Sequence, residues 1–89
     1  MKHLNITLKG YVQGVGFRYF TVKTARRLGV TGYVKNMPNG NVYIEAEGEE
    51  YQLEDFVNNV KIGPASADVR DIDISEGETE NFTEFDVRY

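Results

Sequence analysis

The stretch Leu4-Asn5-Ile6-Thr7-Leu8-Lys9-Gly10-Tyr11-Val12-Gln13-Gly14-Val15-Gly16-Phe17-Arg18 changes its apolar spacing across a glycine-rich break. Before the break Leu4, Ile6 and Leu8 alternate with polar residues, so residues 3–11 are expected as a strand. After it, residues 18–28 carry a helical pattern with Val22, Ala25 and Leu28 expected inward and Lys23, Arg26 and Arg27 on the wet side. Gly29 follows the last periodic residue, where helices commonly stop. Residues 12–18 are then a strand-to-helix loop. Its glycines let the backbone curl and turn several N–H groups inward. The helix that follows adds the positive end of its dipole, and an arginine at the rim can clamp an oxyanion through two parallel hydrogen bonds. The stretch therefore has the makings of a phosphate cradle built without a metal.

Working outward, Val30–Asn36 is expected as a second strand, Pro38-Asn39-Gly40 as a turn, and Val42, Ile44 and Ala46 as the inward positions of a third strand ending at Gly48. Residues 50–61 form an amphipathic helix: Leu53, Phe56, Val57 and Val60 recur at helical spacing, acids crowd its start, and Gly63-Pro64 stops it. Residues 66–75 are extended, but Ala67 and Val69 have opposite parity to Ile72 and Ile74, which places a bulge at Arg70-Asp71. Ser75–Asn81 is expected as an acidic loop, and Phe85, Val87 and Tyr89 as a short last strand. The order β-α-β-β-α-β plus one short C-terminal strand is that of an α+β ferredoxin-like sandwich: an antiparallel sheet with both helices on one face.

The 89 residues make one domain, 1–89, with one modest core. There is no cysteine, hence no disulfide, thiolate nucleophile or Cys-based zinc site, and the single histidine, His3, is expected as an exposed terminal residue. No apolar run has the length of a membrane span or a secretion signal, so a cytoplasmic protein with no membrane partner is expected. The net charge of −4 conceals an asymmetry: residues 1–44 hold seven cations and no acid, while residues 45–89 hold all fourteen acids and three cations. A small anion approaching the glycine loop meets little repulsion. The same asymmetry also reads simply as two halves attracting each other in the fold. A nucleic-acid partner is not expected of an acidic chain, and nothing in the pattern demands more than a monomer.

The run Gly10-Tyr11-Val12-Gln13-Gly14-Val15-Gly16-Phe17-Arg18 resembles the first signature of the acylphosphatase family. Gly32-Tyr33-Val34-Lys35-Asn36, followed by Gly40, Val42 and Gly48, resembles the second at its usual spacing, and Gly63-Pro64 and Phe85-Asp86-Val87 extend the resemblance over essentially the whole chain. Tyr11 departs from it, since many members carry a basic residue there. The resemblance implies a free-standing enzyme that hydrolyses acyl phosphates, small mixed anhydrides of carboxylic and phosphoric acids, without a cofactor. It implies that Arg18 and the loop backbone N–H groups of Gln13, Gly14, Val15, Gly16, Phe17 and Arg18 bind the phosphoryl group, and that Asn36 positions the attacking water. On its own, Asn36 reads better as an ordinary turn residue before Pro38, and only the resemblance reverses that.

The residues themselves agree with an easy reaction. The position in the loop where a thiolate nucleophile would sit is Val12, which is inert, and no carboxylate in the first 44 residues can serve as acid or base. The leaving group must therefore depart unaided. A carboxylate can, because its conjugate acid has a pKa of about 4. Two other readings use the same fold: a phosphate- or anion-binding module without turnover, and an RNA-binding domain. Lys9-Gly10-Tyr11 starts like the RNA-binding strand motif, but Val12-Gln13 breaks it.

Overall fold

The computed structural model describes residues 1–89. Chain order is β1 (Lys2–Tyr11), α1 (Phe17–Leu28), β2 (Thr31–Asn36), β3 (Val42–Gly48), α2 (Glu50–Val60), β4 (Asp68–Gly77) and β5 (Phe85–Val87). The strands form one sheet in the order β4-β1-β3-β2-β5. Neighbours among the first four are antiparallel, and β5 joins the edge parallel to β2, so the sheet is mixed where an antiparallel one is expected. No helix is long and apolar enough to cross a membrane.

One apolar cluster lies between the helices and the sheet. Ile6 and Leu8 of β1, Val34 of β2, and Val42, Ile44 and Ala46 of β3 supply one side; Ala25 of α1 and Leu53, Phe56 and Val60 of α2 supply the other. The α2 stripe is the one its spacing predicts. On α1 the buried residues are Phe17, Thr21, Thr24 and Ala25, while Val22 and Leu28 are only half-buried. The inward face includes two threonines, of which Thr21 is satisfied within the helix: its Oγ1 donates to the Phe17 carbonyl at 2.8 Å. Gln52 ties the two helices together, donating from Nε2 to the Leu28 carbonyl at 3.2 Å.

The bulge falls where the parity slip puts it. Lys9 pairs with Asp71 and Gly10 with Val69, so Arg70 is the extra residue of β4. Two strand ends differ from the expected pattern. β4 continues through Gly77, because the acidic stretch finds partners in His3 and Leu4. Exposed pairs Lys9–Asp73 and Lys2–Glu76 lie along this ladder, so the charge asymmetry serves partly to bring the two halves together, weakly because water screens both pairs. The last strand stops at Val87, and Tyr89 is fully exposed.

His3 is not an exposed terminal residue. It is 3 % exposed, on the sheet face opposite the helices, under the loop that joins β4 to β5. Its Nδ1 lies 2.7 Å from Glu47 Oε2, its Nε2 lies 3.1 Å from Glu45 Oε1 and 3.0 Å from Asn5 Oδ1, and its ring stacks on Phe82. Glu47 is fully buried and also accepts the backbone N–H groups of Glu80 and Phe82. Glu45 accepts the hydroxyls of Tyr33 and Tyr43, whose pKa values burial and this carboxylate push up, that of Tyr43 to about 12.

The network has a defined pH signature. Burial of His3 opposes its charge, but the Glu47 and Asn5 hydrogen bonds and the two nearby carboxylates outweigh it and raise its pKa above 6.5. Burial opposes the charge of Glu47 too, and the His3 and backbone hydrogen bonds hold its pKa below 4.5. The histidine's contribution is complete below pH 6.5 and is lost as pH rises through its raised pKa. The glutamate's is complete above pH 4.5 and is lost as pH falls through its lowered pKa. The pair therefore stabilises most between pH 4.5 and 6.5. His3→Ala should cost about 3 kcal/mol in denaturant unfolding at about pH 6, because Glu47 is left buried without its cation, and less in alkaline solution.

Candidate active site

The sharp turn between β1 and α1 is made by Gly14 and Gly16, at φ 75° and 77°, a backbone region closed to most side chains. Gly16 is the N-cap of α1, and neither a capping side chain nor an acidic residue satisfies the first helical turn. No backbone N–H from Gln13 to Tyr19 donates a hydrogen bond within the protein; the first to do so is Phe20, to the Gly16 carbonyl. A row of free N–H groups at a helix N-terminus is an anion site in waiting.

The loop is braced at its start. Gln13 Nε2 donates to the carbonyls of Met37 and Asn41, each at 2.8 Å, which rivets it to the turn between β2 and β3. That turn begins one residue after Asn36, so the same brace sets the distance between the loop and Asn36. Val12 and Phe17 anchor the two ends of the loop in the core. Sequence reasoning assigns only the backbone of Gln13. The role of its side chain depends on partners more than twenty residues away, and no local pattern marks it.

A cavity of about 300 Å³ opens over this loop. Gly14, Gly16, Arg18 and Asn36 line it together with the buried Val12 and Phe17. Tyr19 and Val22 of α1, Val87 of β5 and Tyr89 complete the lining. Arg18 makes no ion pair with any carboxylate; its guanidinium sits 5.2 Å from the centre of the Tyr89 ring. Asn36 lies on the last rung of the β2–β3 ladder, opposite Val42. Its Oδ1 is buried and accepts no hydrogen bond from the protein. The structure thus brings Arg18, Asn36 and the glycine loop into one cavity. Tyr33 and Tyr43 lie on the sheet face opposite the helices, whereas Tyr11, Tyr19, Tyr51 and Tyr89 are exposed. No Asp, Glu, Lys or His lines the cavity. The donor atoms of His3, Glu45 and Glu80 converge within 4.8 Å of one another, but they lie outside the cavity, within the network under Phe82.

Comparison with known proteins decides the family. The acylphosphatase family model matches residues 4–87. The chain belongs to the acylphosphatase family. It is 54 % identical over 86 residues to an acylphosphatase of Archaeoglobus fulgidus, covering 97 % of each chain. It is 48 % identical over 89 residues to one of Thermotoga maritima, covering all of this chain and 99 % of that one. The crystal structure of acylphosphatase from Bacillus subtilis superposes with a TM-score of 0.98 at 41 % identity, covering both chains completely. The fold is accordingly the ferredoxin-like α+β sandwich expected from the element order, and this member of the family is an enzyme.

Proposed function

We propose that the enzyme hydrolyses acyl phosphates by direct attack of water on phosphorus, and that the cavity over the β1–α1 loop is where it does so. The observation that carries this reading is the pairing of free donors with a free acceptor. The unused N–H groups from Gln13 to Arg18 and the unpaired Arg18 guanidinium face a phosphoryl dianion. Asn36 lines the same cavity with its Oδ1 bonded to no group of the protein, so a turn of its side chain offers that acceptor to an attacking water.

Family membership supports the substrate class, and the lining of the cavity supports the mechanism. No carboxylate, imidazole, amine or thiol lines it, and a carboxylate leaving group needs no protonation to depart. The water's proton passes to a phosphoryl oxygen of the substrate. The bond made is O–P from water, the bond broken is P–O to the acyl group, and the products are a carboxylate and inorganic phosphate. Catalysis then rests on orientation and on stabilising charge on the equatorial oxygens. A binding module without turnover would share the cradle but has no use for a buried, unsatisfied amide oxygen, which costs about 1–3 kcal/mol to keep.

Benzoyl phosphate hydrolysis in the presence of chelator tests the reading. Turnover at a rate unaffected by chelator is expected. Protection against thermal unfolding by inorganic phosphate, with no turnover, would leave only a phosphate-binding module.

A further inference from the structure

We infer that the enzyme prefers acyl phosphates whose acyl group is uncharged and apolar, and that this group lodges against Tyr19, Val22 and Val87. The inference rests on the placement of the phosphoryl group proposed above, and it concerns the part of the cavity that placement leaves unused.

The cavity is larger than a phosphoryl group needs, and its volume is at the lower end of small-molecule sites. Its polar functions are Arg18, Asn36 and the loop backbone. Along α1, Val22 lies one turn beyond Arg18 and three residues beyond Tyr19, and all three line the cavity. With the phosphoryl group held at Arg18 and the loop, the lining left to meet the acyl substituent is Tyr19, Val22, Val87 and Tyr89. Val22 and Val87 are both half-buried and packed on the core, so this wall is fixed before substrate arrives. Tyr19, 72 % exposed, closes the wall from the solvent side.

The charge pattern points the same way. Arg18 is the one charged side chain lining the cavity, and it is committed to the phosphoryl group. An acyl group carrying its own carboxylate would meet valine and tyrosine with no cation to receive it, and would be desolvated without compensation. An apolar chain meets a surface that gains from covering it.

The test is kcat/KM for acetyl, butyryl and succinyl phosphates. The first two release carboxylates of nearly equal basicity, so their intrinsic reactivity largely cancels. Each buried methylene contributes roughly fourfold, so butyryl phosphate should exceed acetyl phosphate about tenfold, with the gain in KM. Succinyl phosphate should fall about tenfold or more below butyryl phosphate. Val22→Ser should pull the butyryl-to-acetyl ratio towards one. Tyr19→Arg, at an exposed helical position that tolerates the change, should raise succinyl relative to butyryl phosphate several-fold. Equal kcat/KM for acetyl and butyryl phosphates, or ratios that neither variant moves, would overturn the acyl wall while leaving hydrolysis at the cradle intact. Failure to hydrolyse any of the three would instead overturn the phosphoryl assignment on which the wall depends.

Discussion

Arg18→Ala is expected to lose inorganic phosphate binding and acyl phosphate turnover together. Its guanidinium is the one charged side chain in the cavity, and it is spent on no carboxylate of the protein. Truncating one member of a desolvated charge pair costs about 2–5 kcal/mol, or roughly thirtyfold to several thousandfold in kcat/KM. Stability should move by no more than about 0.5 kcal/mol, since the guanidinium rests against the exposed ring of Tyr89 and is bonded to no buried group. Arg18→Lys should recover part of the binding and less of the rate, because an ammonium restores the charge but not the planar fork. Calorimetric titration with phosphate, beside steady-state kinetics, checks both. Retained phosphate affinity in Arg18→Ala would remove the guanidinium from the cradle.

Asn36→Ala should separate what Arg18→Ala loses together. Phosphate affinity and KM should hold, and kcat should fall by about 10²–10³, the loss typical of one preorganised polar group that acts in the transition state. Its stability should not fall and should rise by about 1 kcal/mol. Replacing the side chain removes a buried oxygen that no group of the protein satisfies. A fold that keeps such an atom exchanges stability for function. Chemical denaturation and kinetics on the same preparation test the two halves of the prediction. If Asn36→Ala lost phosphate affinity in step with rate, the residue would belong to the cradle. If it lost stability as well, its role would be structural.

The architecture is legible in the sequence because each element carries its own signal. The parity of Ala67 and Val69 against Ile72 and Ile74 even locates the Arg70 bulge, since a half-buried strand cannot add a residue without flipping its pattern. Residues whose role comes from distant partners are not legible. His3 reads as a polar residue at the start of a strand, and nothing near it announces Glu47, 44 residues away, or the loop that folds over both. The extension of β4 to Gly77 is hidden for the same reason, as its acids look like loop until β1 lies beside them. Thr21 and Thr24 escape notice on α1 because their polarity argues against burial, although residues 17, 21, 24 and 25 fall on one helical stripe. The site divides likewise. Arg18 and the loop carry a physical rationale in sequence, whereas Asn36 draws its assignment from the family resemblance. The structure adds what a sequence cannot hold: an oxygen of that side chain buried without a partner, in the same cavity as the cradle.

The central claim is that water attacks phosphorus within this cavity. Single-turnover hydrolysis of benzoyl phosphate in water enriched in oxygen-18, in the presence of chelator, tests it most directly. The label should appear in inorganic phosphate and not in benzoate. Label in benzoate would mean attack at the carbonyl carbon and would contradict the account.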